Sequence, residues 1–156
     1  MLMKTINDWL SEYGESHQNP TNKLVHWICV PTIFFSIVGL FYGIKLGVPV
    51  LPGIQLNVAT VLLLLVVGYY VRLSPALAVG MLLFSLLCLF IAQQIETAGL
   101  VLWQVCLSLF VLAWIGQFWG HKVEGKKPSF FQDLQFLMIG PAWLMSFIYS
   151  RFGLRV

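Results

Sequence analysis

Four long apolar stretches, separated by short turns, constrain the fold of this chain more than any other feature of its sequence. A helix of roughly 20 apolar residues crosses the hydrocarbon core of a bilayer, which is about 30 Å thick. The first and last stretches reach this length, and the middle two are slightly shorter. We therefore predict four transmembrane helices, over the stretches Leu24–Ile44, Leu56–Val71, Ala76–Ala92 and Leu100–Trp119.

The composition of the chain supports a location in the membrane. Hydrophobic residues make up 59% of the 156 residues and charged residues 10%, whereas soluble domains contain roughly 45–50% and about 25%. The few polar side chains of such a chain cannot cover so much apolar surface in water. We expect a single all-α integral membrane domain over residues 1–156, with membrane lipid as a partner and no nucleic acid.

Two further segments flank the predicted spans. Residues 4–16 are typical of a short amphipathic helix at the membrane surface, because apolar side chains recur on one face and polar ones on the other. Residues 129–149 are apolar but are interrupted by Gly140-Pro141. This interruption predicts either one kinked span or a re-entrant pair of half-helices.

Local signals refine the first span and the connection that follows it. Thr21 or Asn22 is expected to cap the helix at its beginning. Pro31 removes one internal hydrogen bond and is expected to kink the helix. Residues 45–55 are rich in glycine and proline, which predicts a turn between the first two spans.

The basic residues predict the orientation of the protein. Cytoplasmic segments of membrane proteins carry an excess of lysine and arginine. With five crossings, one side of the membrane receives six basic residues and the other three, so the first side is predicted to be cytoplasmic. The first set is Lys4, Lys23, Arg72, Lys122, Lys126 and Lys127, and the second is Lys45, Arg151 and Arg155.

Four crossings return the chain to the side from which it started, and this brings two polar motifs together. His17 and His26 flank the beginning of the first span, and His121 and Glu124 follow the end of the fourth. On a helix, Gln117, His121 and Glu124 share one face. We therefore predict that the three histidines and Glu124 meet at a cytoplasmic mouth of the bundle.

Three imidazoles and one carboxylate match the ligands that first-row metals prefer. Two histidines and one carboxylate are the ligands of non-haem Fe(II) oxygenases, and zinc accepts the same set with an open position for water. Two other interpretations remain open from the residues alone. One is haem ligation by His26 and His121. The other is a non-catalytic, lipid-binding helical bundle whose histidines are structural or interfacial.

The cysteines and tryptophans are predicted to have structural roles. The cysteines lack the CxxC spacing of metal or redox sites, and small buried hydrophobic residues are the simpler interpretation. The tryptophans are expected in the aromatic belts at the membrane interfaces. The residues concerned are Cys29, Cys88 and Cys106, and Trp27, Trp114, Trp119 and Trp143.

Two spaced motifs give the chain a resemblance to a known family. They are Tyr13-x3-His17-x-Asn-Pro-x-Asn22-x3-His26-x4-Pro31 and Gln117-x2-Gly120-His121-x2-Glu124-x3-Pro128. Asp133 and Pro141 farther along the chain also match the family pattern. On these motifs the chain resembles the membrane 2-hydroxy fatty acid dioxygenases, which are named for the metabolism of phytosphingosine to odd-numbered fatty acids.

The resemblance implies an enzyme of fatty acid α-oxidation. A member of this family is expected to use Fe(II) and O2 to convert a 2-hydroxy fatty acid into the fatty acid that is one carbon shorter. The resemblance implies that His17, His26 and His121 are metal ligands. It also implies that Glu124 is a fourth ligand or an orienting group. The compact chain is similar to bacterial members, which implies a location in the inner membrane.

The implied substrate suggests roles for the polar residues near the histidines. A 2-hydroxy acid can chelate iron through its carboxylate and hydroxyl, while the acyl tail lies between the apolar helices. Asn22 and Gln117 are expected to orient an imidazole or the substrate, and with His121 and Glu124 they form the predicted catalytic group. The residues expected to bind the substrate are Tyr13, Lys23 and Lys122.

Overall fold

The structure is a computed structural model that describes residues 5–125 and 136–154. These residues are mostly helical, as predicted, and contain six helices and one two-stranded antiparallel sheet. In chain order the elements are α1 (Ile6–Glu15), α2 (Pro20–Tyr42), β1 (Lys45–Leu51), β2 (Ile54–Asn57), α3 (Val58–Leu73), α4 (Pro75–Thr97), α5 (Leu102–Glu124) and α6 (Ile139–Arg151).

Helices α2 and α5 make the most extensive contact in the fold. Glycines on both helices permit a close approach: a Cβ atom at Gly116 would lie 2.7 Å from Cys29 Sγ, and one at Gly39 would overlap Cys106 Sγ. Because the early part of α2 faces the late part of α5, the two helices are antiparallel. Small residues at such contacts are the usual means by which membrane helices pack closely. The beginning of α2 therefore lies beside the end of α5.

Helix α6 is attached to α3 and α4 by two tyrosines. The hydroxyl of Tyr70 donates a hydrogen bond to the carbonyl oxygen of Met138, and that of Tyr149 donates to the carbonyl oxygen of Ala76 at 2.6 Å. Helix α1 in turn packs against α6, and side chains from α1, α2 and α6 form one apolar cluster. The two short helices therefore cover the beginning of α2.

Three helices are long and apolar enough to cross a membrane: α2, α4 and α5, with 23 residues each. Large apolar side chains are exposed on their outer faces, including Leu83 at 63% and Leu112 at 65%. These features suggest a membrane protein. Helix α3 is also apolar, but its 16 residues extend only about 24 Å. The prediction of four full-length spans is therefore not confirmed.

The connection between α2 and α3 differs from the predicted turn. Residues 45–57 form the antiparallel pair β1 and β2, which the all-α prediction missed. Val48 and Val50 favour an extended backbone, and Pro52-Gly53 supplies the reversal, with a positive φ of 76° at Gly53. The helix that follows begins two residues later than the predicted span, at Val58.

Helix α2 begins at Pro20, two residues before the first position that a cap at Thr21 would allow. The side chain of Asn19 accepts a hydrogen bond from the backbone N–H of Thr21 at 2.9 Å, so Asn19 is the cap, and neither Thr21 nor Asn22 is. Pro20 explains the difference, because the fixed φ of proline suits the first position of a helix. The helix continues through Pro31.

The Gly140-Pro141 pair lies in the first turn of a helix. Helix α6 begins at Ile139, which places Pro141 in the first turn, where its missing N–H removes no internal hydrogen bond. The predicted segment 129–149 lies within the described residues only from residue 136 onward. The residues Lys4, Lys126, Lys127, Pro128, Asp133 and Arg155 also lie outside the described residues.

We expect Gly39→Ala to destabilise the protein in detergent, because the added methyl group would overlap Cys106 Sγ. Overpacking of this kind costs about 1–3 kcal/mol, which a lower midpoint of thermal unfolding would reveal. Gly39→Ala combined with Cys106→Ala should recover most of the loss. Gly68→Ala is the matched control, since a Cβ atom there meets nothing within 4 Å in the described part of the chain. Wild-type stability of Gly39→Ala would contradict the close contact.

Candidate metal centre

The three histidines of the chain form one buried group. Their potential ligand atoms all lie within 4.8 Å of one another, and His17, His26 and His121 are 2%, 1% and 4% exposed. The ring centroids of His17 and His26 are 4.2 Å apart, and those of His26 and His121 are 5.0 Å apart. The structure thus brings the two polar motifs together at one end of the bundle.

Three different elements position these histidines. His26 lies in the second turn of α2 and His121 lies near the end of α5, so the antiparallel contact of the two helices places them side by side. His17 lies in the turn after α1, where its backbone N–H donates to the carbonyl oxygen of Gly14 at 3.0 Å. The packing of α1 over the beginning of α2 therefore supplies the third imidazole.

Hydrogen bonds to the backbone determine the tautomers of two histidines. Nδ1 of His17 lies 2.6 Å from the carbonyl oxygen of Tyr13, and Nδ1 of His26 lies 2.9 Å from that of Asn22. A carbonyl oxygen only accepts, so each Nδ1 must carry the hydrogen and each Nε2 of a neutral ring must carry the lone pair. Histidines that bind metals usually have such a partner on the nitrogen that does not bind the metal.

Aromatic side chains shield the histidine group on the side of α6. The Tyr13 ring stacks on His17 with a centroid distance of 4.3 Å, and the Trp143 ring lies 5.3 Å from His17. Two glycines make room for these rings. A Cβ atom at Gly140 would lie 3.2 Å from the Tyr13 hydroxyl, and one at Gly14 would lie 3.4 Å from Trp143 Nε1. This packed wall keeps water away from one side of the imidazoles.

The carboxylate of Glu124 binds the beginning of α2. Its Oε1 accepts the backbone N–H of Gln18 at 2.9 Å, and its Oε2 accepts the backbone N–H of Asn19 at 2.8 Å and Asn22 Nδ2 at 3.0 Å. A carboxylate is favoured there because the first N–H groups of a helix lack internal partners. Gly125, with φ 75°, ends α5 directly after Glu124. Among the described residues, Glu124 lies outside the group of mutually close histidine ligand atoms.

Two buried amide side chains lie one helical turn before histidines. Asn22 precedes His26, and its Nδ2 donates to the carbonyl oxygen of Ser16 at 3.3 Å as well as to Glu124. Gln117 precedes His121 on α5 and is also buried. Within the described residues, neither Asn22 Oδ1 nor Gln117 Oε1 accepts a hydrogen bond.

A small cavity adjoins Gln117. Its walls are mostly apolar and come from α2, α5 and the residues just before α6, and Tyr13 also lines it. Gln117 contributes a polar amide to this apolar surface. The cavity has a volume of about 20 Å³, which suits one small polar group and is too small for an acyl chain. The apolar side chains include Val30, Ile33, Trp114 and Leu137.

The two lysines predicted to bind substrate lie apart from the buried histidine group. Lys122 is exposed and Lys23 is half-buried. Each directly follows a buried residue on its helix, and successive side chains on a helix point about 100° apart. Tyr13, the third residue of that prediction, instead lines the cavity and stacks on His17.

Sequence reasoning missed one aromatic contributor to the site. The interfacial interpretation suits Trp27 and Trp119, which are exposed, but it is wrong for Trp114 and Trp143, which are 6% and 5% exposed. Trp143 packs on Tyr13 and His17 because α6 begins at Ile139 and directs its first turns toward α1. No local sequence signal distinguishes such a tryptophan from an interfacial one.

The donor set of this group could hold a metal ion. Imidazole nitrogen suits iron, zinc, copper and nickel, and three imidazoles converge in a buried position. The Nδ1–H bonds of His17 and His26 place the lone pair of each neutral ring on Nε2. The cysteines are not part of the group and are buried elsewhere in the fold, as the sequence predicted.

Comparison with known proteins agrees with the motifs. The family described as "2-hydroxy-palmitic acid dioxygenase Mpo1-like" matches residues 3–152. The 2-hydroxy-palmitic acid dioxygenase MPO1 of Saccharomyces cerevisiae is 31% identical over 142 residues, which cover 90% of this chain and 77% of the yeast protein. No solved structure matches the chain. Since the match includes both histidine motifs and every helix of the fold, this chain belongs to the Mpo1-like family.

Proposed function

We propose that this protein is an Fe(II)-dependent dioxygenase of fatty acid α-oxidation. It converts a 2-hydroxy fatty acid and O2 into the fatty acid that is one carbon shorter. The observation that carries this proposal is the buried group of His17, His26 and His121, in a chain that is 31% identical to a 2-hydroxy-palmitic acid dioxygenase. The relationship supports enzymatic activity, and the histidine group supports a metal-binding site.

The reaction balances with O2 as the sole oxidant. The bond between C1 and C2 breaks, C2 becomes the new carboxyl carbon, and C1 leaves as CO2 with one molecule of water. A bound Fe(II) supplies open positions for the substrate's oxygen atoms and for O2. His17, His26 and His121 would hold the ion, and the packed rings of Tyr13 and Trp143 exclude water from one side of the imidazoles.

Glu124 and Asn22 act as positioning residues in this proposal. Both oxygens of Glu124 already accept hydrogen bonds at the beginning of α2, which favours an orienting role over that of a fourth ligand. The side chain of Asn22 links Glu124 to the turn that carries His17. The backbone carbonyl oxygen of Asn22 orients the His26 ring. Together the two side chains fix the positions of α1, α2 and α5 relative to one another around the histidines.

The substrate is proposed to reach the site from the membrane. Its acyl tail lies between the apolar helices, because the cavity beside Tyr13 and Gln117 has a volume of only about 20 Å³. Lys23 and Lys122 lie near the histidines in sequence but outside the buried group. We therefore assign them to attracting the fatty acid carboxylate to this end of the bundle before it enters.

The histidine end of the bundle is proposed to face the cytoplasm of a bacterial inner membrane. Lys23, Arg72 and Lys122 all lie at this end, next to the beginning of α2, the end of α3 and the end of α5, and basic residues favour the cytoplasmic side. Helix α3 is proposed to supply the second of four crossings, which would make α2 and α5 antiparallel.

Haem ligation is disfavoured by the packing of the histidines. A haem is a wide, flat group, and when two histidines hold it, it lies between their imidazole rings. Here the ring centroids of His26 and His121 are only 5.0 Å apart, and His17 packs against both of them. A single ion fits this arrangement, whereas a macrocycle would have to displace a buried ring.

Protein purified in detergent and loaded with Fe(II) without oxygen is expected to retain one bound iron per chain. His121→Ala should lose that iron, because it removes one of three imidazoles. Elemental analysis after gel filtration measures the content. Val123→Ala, which alters an exposed side chain on the same turn, should retain the metal. A folded His121→Ala variant with wild-type iron content would contradict the proposed centre.

The iron-loaded protein is expected to convert 2-hydroxypalmitic acid into pentadecanoic acid when O2 is admitted. Mass spectrometry of the extracted lipids measures the product, and headspace analysis measures the CO2. Palmitic acid should remain unchanged, because it lacks the hydroxyl that must be oxidised. Absence of pentadecanoic acid from folded, iron-loaded protein would refute the proposed reaction.

Glu124→Gln is expected to weaken iron binding by about 10- to 100-fold, as is typical for residues that support metal ligands. The amide retains only one acceptor oxygen, so it cannot accept all three hydrogen bonds at the beginning of α2. Titration with Fe(II) measures the affinity. Glu96→Gln, at the end of α4 and paired with Lys45 at 3.0 Å, is the control and should bind iron normally. Complete loss of iron together with an intact fold would instead favour Glu124 as a ligand.

A further inference from the structure

Gln117 is a buried polar side chain for which the described residues supply no hydrogen-bond donor. It is 4% exposed, and its Oε1 accepts no hydrogen bond from the described part of the chain. Leaving a buried amide oxygen without a donor costs free energy, so nearly all such atoms in folded proteins have a partner. A donor from a bound molecule is therefore expected at this position.

The position of Gln117 shows where that molecule must lie. Gln117 lines the small apolar cavity together with Val30, Ile33 and Trp114. It also lies one helical turn before His121, so both side chains project from the same face of α5. The cavity has a volume of about 20 Å³, so a small group such as a hydroxyl can occupy it and contact Gln117 while the rest of the molecule lies toward the histidine group.

The other buried amide, Asn22, belongs to the framework. Its Nδ2 donates to Ser16 and to Glu124, and its Oδ1 faces the backbone of α5, where a Cβ atom at Gly120 would lie 2.5 Å away. Asn22 is absent from the lining of the cavity. Of the two amides, Gln117 is thus the one that is placed to contact a ligand.

We propose that Gln117 Oε1 accepts the hydrogen of the substrate's 2-hydroxyl group, and that Gln117 thereby distinguishes a 2-hydroxy fatty acid from an unhydroxylated one. This inference rests on the proposed function. A hydroxyl has one hydrogen and two lone pairs, so it can donate to Gln117 and still present a lone pair to a metal held by the histidines.

The test compares the binding of two ligands to two variants of the Fe(II)-loaded protein, without oxygen so that no turnover occurs. Calorimetry measures the dissociation constants of 2-hydroxypalmitic acid and palmitic acid. Gln117→Met keeps the side-chain volume but removes the acceptor. It is expected to weaken binding of the hydroxy acid by about 5- to 150-fold, while binding of palmitic acid changes less than about twofold and the iron content stays that of the wild type.

Gln104→Met is the matched control, because Gln104 lies on the same helix but is exposed; its affinities for both ligands should equal those of the wild type. Equal weakening of both ligands, or loss of iron from Gln117→Met, would overturn the inference, because Gln117 would then act through packing or through His121. Unchanged binding of both ligands would also overturn it, and would leave water as the partner of Gln117. If wild-type protein binds neither fatty acid, the proposed function itself fails.

Discussion

The antiparallel contact between α2 and α5 is the constraint on which the candidate site depends. The helices approach closely because Gly39 and Gly116 face cysteines and Gly120 faces Asn22. With larger residues at these positions, His26 and His121 could not lie with ring centroids 5.0 Å apart. Since a membrane provides little hydrophobic driving force between helices, close packing of small residues must supply much of the attraction.

Glu124 connects this helix pair to the third histidine. Its carboxylate binds the backbone of Gln18 and Asn19, which directly follow His17 in the chain. The N–H groups of these two residues lie directly before α2, so one acidic side chain holds in place a turn that is 105 residues away in sequence. Glu124 is therefore compatible with the proposed supporting role, and in the part of the chain that the structure describes the group of mutually close ligand atoms consists of the three histidines.

Much of the fold was predictable because helical periodicity and span length are local properties. The apolar runs indicated α2, α4 and α5, and the amphipathic pattern indicated α1. The hairpin at residues 45–57 was missed, because a short strand pair depends on cross-strand hydrogen bonds that no single segment reveals. The burial of Trp143 was missed for a similar reason: its partners, Tyr13 and His17, lie on a distant helix and the turn after it.

The sequence by itself determined the helical membrane character, the family and the set of three histidines. Each of these follows from composition, from apolar run length or from the order of two motifs. Only the tertiary structure decided that Glu124 faces the backbone of the turn before α2, that Gln117 lines a cavity, and that Lys23 and Lys122 remain outside the buried group. These outcomes depend on how each helix is rotated about its axis, and that rotation is determined by contacts between residues far apart in the chain.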